Sequence, residues 1–164
     1  MNKLLAISIV LVLTVLTGCR SLPAAGYDPA PASMPAGSRE PPANKNWIAP
    51  GKVEIAGFHP GERAEYPLTI HAGNKASTFR VYFKAVENTP PEAENWVTIA
   101  GTRPVIEAGQ SREVMIALEM PVTVNPRDIP DSWEFQIAVS PEPTGTGGSQ
   151  VVIELASRWI IAMK

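Results

Sequence analysis

From Lys52 onward, apolar and polar residues alternate with a period of two in short runs, the pattern of strands that bury one face. The run KVEIAGF opens the series at Lys52. In RAEYPLTIHA, the residues Ala64, Tyr66, Leu68, Ile70 and Ala72 share one face, with Arg63, Glu65, Thr69 and His71 on the other. TFRVYFKAV sets Phe79, Val81 and Phe83 against Arg80, Tyr82 and Lys84. WVTIAG forms a short fourth run, EVMIALEM aligns Val114, Ile116, Leu118 and Met120, and WEFQIAVS aligns Trp133, Phe135, Ile137 and Val139. The last run, QVVIELASRWIIAMK, is long enough for a strand with a bulge near Ser157 that changes its inward phase. Clusters of Gly, Pro and Asn separate the runs, and no amphipathic helix of three turns stands among them. Seven short strands with no room for crossover helices predict an all-β, seven-stranded antiparallel sandwich. Pro67 is the misfit, since it cannot donate to a ladder; it is expected at an unpaired position, where the short first strand has already ended.

The first 46 residues follow other patterns. Leu4 to Leu16 is a predominantly apolar run behind Lys3, interrupted only by Ser8 and Thr14. A membrane-spanning helix needs about 20 apolar residues. This run is too short to span but matches the core of a secretory signal, and Lys3 supplies its positive flank. It ends at Leu16-Thr17-Gly18-Cys19, which holds the single cysteine of the chain. From Arg20 to Asn46 the chain is rich in Pro, Ala, Gly and Ser and has no period of 2 or 3.6. Such a segment buries too little surface to offset its ordering entropy and reads as a tether, with a coil reach of ~30 Å and an extended limit of ~80 Å. The chain thus divides into a signal at 1–18, Cys19 and a tether at 19–46, and a domain at 47–164.

The Leu16-Thr17-Gly18-Cys19 junction resembles the lipobox of bacterial lipoproteins. The resemblance implies cleavage before Cys19, a diacylglycerol on its sulfur and acylation of the new amino group. Small residues at Thr17 and Gly18 give the peptidase access to the backbone. Firm membrane anchoring follows, because each buried methylene contributes about 0.8 kcal/mol. Arg20 stands where an aspartate would favour the inner membrane, so the outer membrane is expected if the organism has two. With Cys19 lipidated no disulfide forms, and the exported domain must be held by its own core. The formal charge of −2 gives no basic face for nucleic acid.

The phrases GFHPGERAEYPLTIHAGN, IEAGQSREVMIALEMP and WEFQIAVSP are similar to bacterial immunoglobulin-like domains, namely the major-sperm-protein-like and NPCBM-associated groups. That resemblance covers residues 50–164 and implies an immunoglobulin-like sandwich. It departs from antibody domains, which carry a disulfide pair and a tryptophan on the third strand. It implies no function, because the fold hosts many.

Residues with catalytic chemistry are sparse. A zinc site lacks ligands, with two histidines and no free cysteine. A copper site from His59, His71 and Met115 is the metal alternative, with Met120 better explained as core. TGTGGSQ, from Thr144, lacks the lysine of a phosphate loop and leads into a strand. Ser111 lacks a nucleophile elbow and suits a turn cap. The sequence therefore predicts no enzyme and no cofactor. It predicts a non-catalytic, lipid-anchored binding or scaffold protein of the bacterial envelope with an envelope protein (or polymer) as partner. The candidate contact residues are Trp47 and Trp96, with Thr144, Gly145, Gly147 and Ser149 in the last hairpin. A small-ligand or copper-handling lipoprotein is the alternative, and Trp47 and Trp96 could instead cover edges of the core.

Overall fold

The computed structural model describes residues 42–143 and 152–163. Nine strands stand among them: β1 (Trp47–Ala49), β2 (Lys52–Ala56), β3 (Arg63–His71), β4 (Ser77–Ala85), β5 (Val97–Ile99), β6 (Val105–Ile106), β7 (Ser111–Glu119), β8 (Ser132–Pro141) and β9 (Leu155–Ala162). Two 3-10 turns, Ala93–Trp96 and Pro126–Asp128, interrupt the connections. The strands form two sheets, ordered β1-β3-β7-β5 and β2-β9-β8-β4-β6. The all-β immunoglobulin-like sandwich is therefore present, with two strands more than expected. β1 and β6 have three and two residues, too few to show a period of two.

The inward rows are those the alternation predicts. Val114, Ile116, Leu118 and Met120 of the β7 segment and Trp133, Phe135, Ile137 and Val139 of β8 are all buried. Phe79 and Val81 of β4 and Leu68 and Ile70 of β3 complete the core between the sheets. Full burial of such side chains contributes roughly 1.5–3 kcal/mol each. Phe135 sits at the centre, stacked on Phe83 at 5.2 Å, Trp133 at 5.7 Å and Trp159 at 5.5 Å. The indole nitrogens of Trp133 and Trp159 have no hydrogen-bond partner among the described residues.

Three expectations change in detail. The β2–β9 pair is parallel, because the chain enters along the edge of one sheet as β1 and crosses to the other at Pro50–Gly51. β9 has no bulge: it pairs with β8 in unbroken register from Leu155↔Val139 to Ala162↔Ser132. Ser157 stays in the inward row with Trp159 and Ile161, and its hydroxyl donates to the Pro50 carbonyl at 2.7 Å. That bond makes a polar residue tolerable there, so no change of phase is required. The strand also starts at Leu155, with Val152 to Glu154 lying before it outside any strand.

Pro67 meets its expectation by a different neighbour. It lies opposite Met115, whose carbonyl accepts from Ala100 on the far side of β7. The Pro67 nitrogen therefore faces the other edge of β3, where β1 has already ended at Ala49 opposite Thr69. No ladder bond is lost.

Truncating the central ring tests this core. Phe135→Ala should cost about 3–5 kcal/mol in urea unfolding at unchanged slope. Trp133→Phe, which also removes an unpartnered N–H, should cost less than half of what Trp133→Ala does.

Candidate functional site

The clearest assembly of polar side chains sits where β3 ends. His71 lies on the outward face, as its alternation predicts, yet it is only 7% exposed. Trp47 covers it, with the two rings stacked at 4.9 Å and 12°. His71 Nε2 lies 3.1 Å from the Ala43 carbonyl and Nδ1 lies 2.9 Å from Ser111 Oγ. A carbonyl only accepts, so Nε2 carries the proton and, in the neutral ring, Nδ1 accepts from the Ser111 hydroxyl. Nε2 thus holds Ala43 of the 42–49 segment, while Nδ1 fixes the ring to Ser111 of β7. Asn46 Oδ1 accepts from Gly73 N at 2.9 Å. A Cβ at Gly73 would stand 2.6 Å from the Asn44 carbonyl oxygen, so glycine is needed for the close approach. The docked segment begins at Ala43 or earlier, ahead of the boundary expected at Trp47.

The remaining candidates disperse. Trp96 is 6% exposed and meets Trp133 edge to face at 5.8 Å. It is a core residue rather than a contact residue, because the Ala93–Trp96 turn swings its ring under β8. His59 lies in an exposed loop ahead of β3 and His71 at the far end of that strand. Met115 stands four residues from Ser111, the partner of His71, a separation of roughly 13 Å along a strand. These three do not converge into a copper site, and no group of three or more His, Cys, Asp or Glu side chains forms a metal cluster among the described residues. Met120 is buried core. Leu16, Thr17, Gly18 and Cys19, and the hairpin residues Thr144, Gly145, Gly147 and Ser149, lie outside the described residues.

Among the described residues, the sheet edges carry unpaired backbone. In a parallel ladder, alternate residues bond to a given neighbour. Arg158 N donates to Gly51 O, which puts Val53 and Ile55 on the bonded side of β2. The amides and carbonyls of Lys52, Glu54 and Ala56 therefore face outward. On the other sheet, β1 covers β3 only from Thr69 to His71, so Arg63 and Glu65 turn theirs to the open edge. Both edges carry charge pairs, Lys52 with Glu54 and Arg63 with Glu65 and Glu119. Such charges discourage indiscriminate strand pairing.

The outer face of β4 and β8 holds a further network that the sequence reading did not single out. Glu154 reaches across Ala138 to the Tyr82 hydroxyl, which donates to it, and to Lys84 Nζ at 2.7 Å. Lys84 first and Tyr82 second hold the Glu154 carboxyl below its ordinary range, while Glu154 pushes the Lys84 ammonium and the Tyr82 phenol up. Next to it opens a groove of about 460 Å³ lined by Arg80, Val81, Tyr82, Thr102, Arg103 and Glu142. Arg80 lies over the Tyr82 ring at 5.2 Å, and Arg103 donates to Glu142 Oε1 through Nε at 2.9 Å and Nη2 at 2.6 Å.

No family model matches the chain, and no curated protein matches its sequence. Solved structures do resemble it. The ASH / PapD-like domain of human CEP192 (PapD-like domain 7) superposes with a TM-score of 0.50 at 14% identity, over 81% of this chain and 94% of that one. The E. coli chaperone DraB gives 0.50 at 12% identity over 72% of this chain and 55% of its own. The class 5 fimbriae chaperone CfaA gives 0.50 at 11% over 71% and 55%. The chain thus spans about half the length of these chaperones. At such identities the likeness is one of fold alone, an immunoglobulin-like sandwich.

Two outcomes follow. Gly73→Ala and His71→Ala should each raise amide exchange at residues 43–49 at least tenfold while exchange in β7 and β8 stays slow. In the Glu154 network, the depressed carboxyl contributes stability that is complete above its ordinary pKa of about 4.3 and is lost as pH falls through the lower folded value. Lys84, raised, contributes below its ordinary pKa of about 10.4 and loses that above it. The wild-type melting temperature should therefore fall more steeply below pH 4 than that of Glu154→Gln.

Proposed function

We propose that this chain is a non-catalytic, lipid-anchored binding or scaffold protein of the bacterial cell envelope that acts by contact with another envelope protein. The observation that carries this reading is the pair of open edges, β2 and the Arg63–Pro67 part of β3, which offer backbone hydrogen bonds to an extended partner. The side chains most suited to chemistry support it from the other direction. His71 and Ser111 come together, but Ser111 is committed to His71 and His71 to the Ala43 carbonyl. Neighbours of the same fold include a chaperone solved in a chaperone–tip adhesin complex (TM-score 0.50).

Anchoring rests on the sequence Leu16-Thr17-Gly18-Cys19. Lipid on Cys19 and the tether after it would hold the domain near a membrane, the outer one where there are two, since Arg20 follows the cysteine.

Two experiments test the proposal. In intact cells, crosslinking of the tagged full-length protein followed by mass spectrometry should return one dominant envelope protein, at least fivefold depleted with Cys19→Ala. Absence of any reproducible partner overturns the scaffold reading. Metabolic labelling with a palmitate analogue should mark the wild type and vanish in Cys19→Ala; persistent labelling removes the lipobox assignment.

A further inference from the structure

The groove on the outer face of β4 contains a charge arrangement that its own side chains do not balance. The β4–β6 register runs Ser77↔Ile106 and Thr78↔Val105. It continues through the bonds Phe79 N to Pro104 O and Val81 N to Thr102 O. Arg80 therefore stands directly opposite Arg103. Phe79 and Val81 are bonded across this ladder, so Arg80 and Arg103 form the intervening non-bonded pair, the position where facing side chains come closest. Like charges directly opposite each other are destabilising.

Among the described residues a single carboxylate, Glu142, answers the two guanidinium groups, and it binds Arg103. Glu154, the next acid along the face, is engaged by Tyr82 and Lys84. Arg80 makes no ion pair with any described carboxylate and lies over the Tyr82 ring. That contact fixes the guanidinium without using its N–H donors. The wall of the groove then carries two positive charges and one negative, in a chain whose formal charge is −2.

From this geometry we infer that the Arg80–Arg103 groove is a binding site for one carboxylate, presented by an acidic segment of a partner polypeptide. The net charge of the wall, one positive, matches a monoanion, and Glu142 on the same wall opposes a doubly charged phosphate. Guanidinium groups recognise a carboxylate in a planar, two-point manner. The volume of about 460 Å³ admits a few side chains rather than a folded surface. This inference rests on the protein-binding reading above and names the chemistry of its partner.

The test uses the full-length protein in detergent and a fluorescein-labelled hexaglutamate peptide with an amidated C-terminus, followed by anisotropy at low salt. Wild type should bind it saturably, with at least tenfold weaker binding to the matched hexaglutamine. Arg80→Gln should weaken hexaglutamate binding at least tenfold, and Arg80→Lys should fail to restore it. A cooperative melt for each variant shows that the fold is intact, and Lys75→Gln on the neighbouring turn should bind as wild type does. Equal binding by Arg80→Gln, or equal loss in Lys75→Gln, overturns the site. Tighter binding of trigalacturonate than of hexaglutamate overturns the polypeptide source. Failure of hexaglutamate to bind while a partner still crosslinks removes the groove and leaves the scaffold reading in place. Binding of hexaglutamate with no crosslinked partner has the opposite consequence: the groove stands and the scaffold reading falls.

Discussion

The stack of aromatic rings along the inner face of β8 is the constraint on which the domain depends. Phe135 touches Trp133, Trp159 and Phe83, and so ties β8 to both its neighbours in one sheet. Tyr66 reaches the same cluster from the opposite sheet, edge to face on Trp159 at 5.6 Å. Offset and edge-to-face contacts of this kind add about 0.5–1.5 kcal/mol beyond the buried area. A domain without a disulfide needs such a centre. The two unpartnered indole N–H groups are a cost that the packing offsets.

With the interior committed to packing, the outer faces are free to vary, and they differ in character. The β3–β7 face carries Pro67, Met115 and Thr69 between the Trp47–His71 stack at one end and the Arg63–Glu65–Glu119 group at the other. The β4–β8–β9 face is a sequence of ion pairs: Lys84 with Glu154, Arg158 with Glu134, and Arg103 with Glu142. Exposed pairs of this kind are screened by solvent and do little to hold the fold. Their regularity makes the unbalanced Arg80–Arg103 pair stand out. A fold gains nothing from two facing guanidinium groups, which is why a ligand is the economical account of them.

Much of the architecture is legible in the sequence because half-buried strands write their period directly into it. The β7 and β8 rows are visible residue by residue. What stays hidden is whatever depends on short pairings or on which strands become neighbours. β1 and β6 are too brief to carry a period, and without β6 nothing in the sequence places Arg103 opposite Arg80. The parallel β2–β9 pair depends on the chain changing sheets at Pro50–Gly51, which alternation does not record. Ser157 misled in an instructive way. A polar residue in an apolar row signals a change of phase unless a buried acceptor waits for it, and here the Pro50 carbonyl does. Trp47 and Trp96 looked alike as candidate contacts, yet one lies over a histidine outside the sheet and the other sits under β8. The distinction comes from the 3-10 turn at Ala93–Trp96, which no pattern in the sequence announced.

The docked segment at residues 42–49 and the groove share an end of the sandwich, and that shared location connects the two. β3 ends at His71 and β4 begins at Ser77 after one short turn, so Arg80 lies three residues up from the end where residues 42–49 are fastened. Ala43 is held by His71 and His71 meets Ser111, so the segment rests on β3 and β7. Those strands pair over nine residues, the longest ladder among the described residues. A partner bound at Arg80 and Arg103 would therefore meet the domain at the end where residues 42–49 are fastened to that ladder.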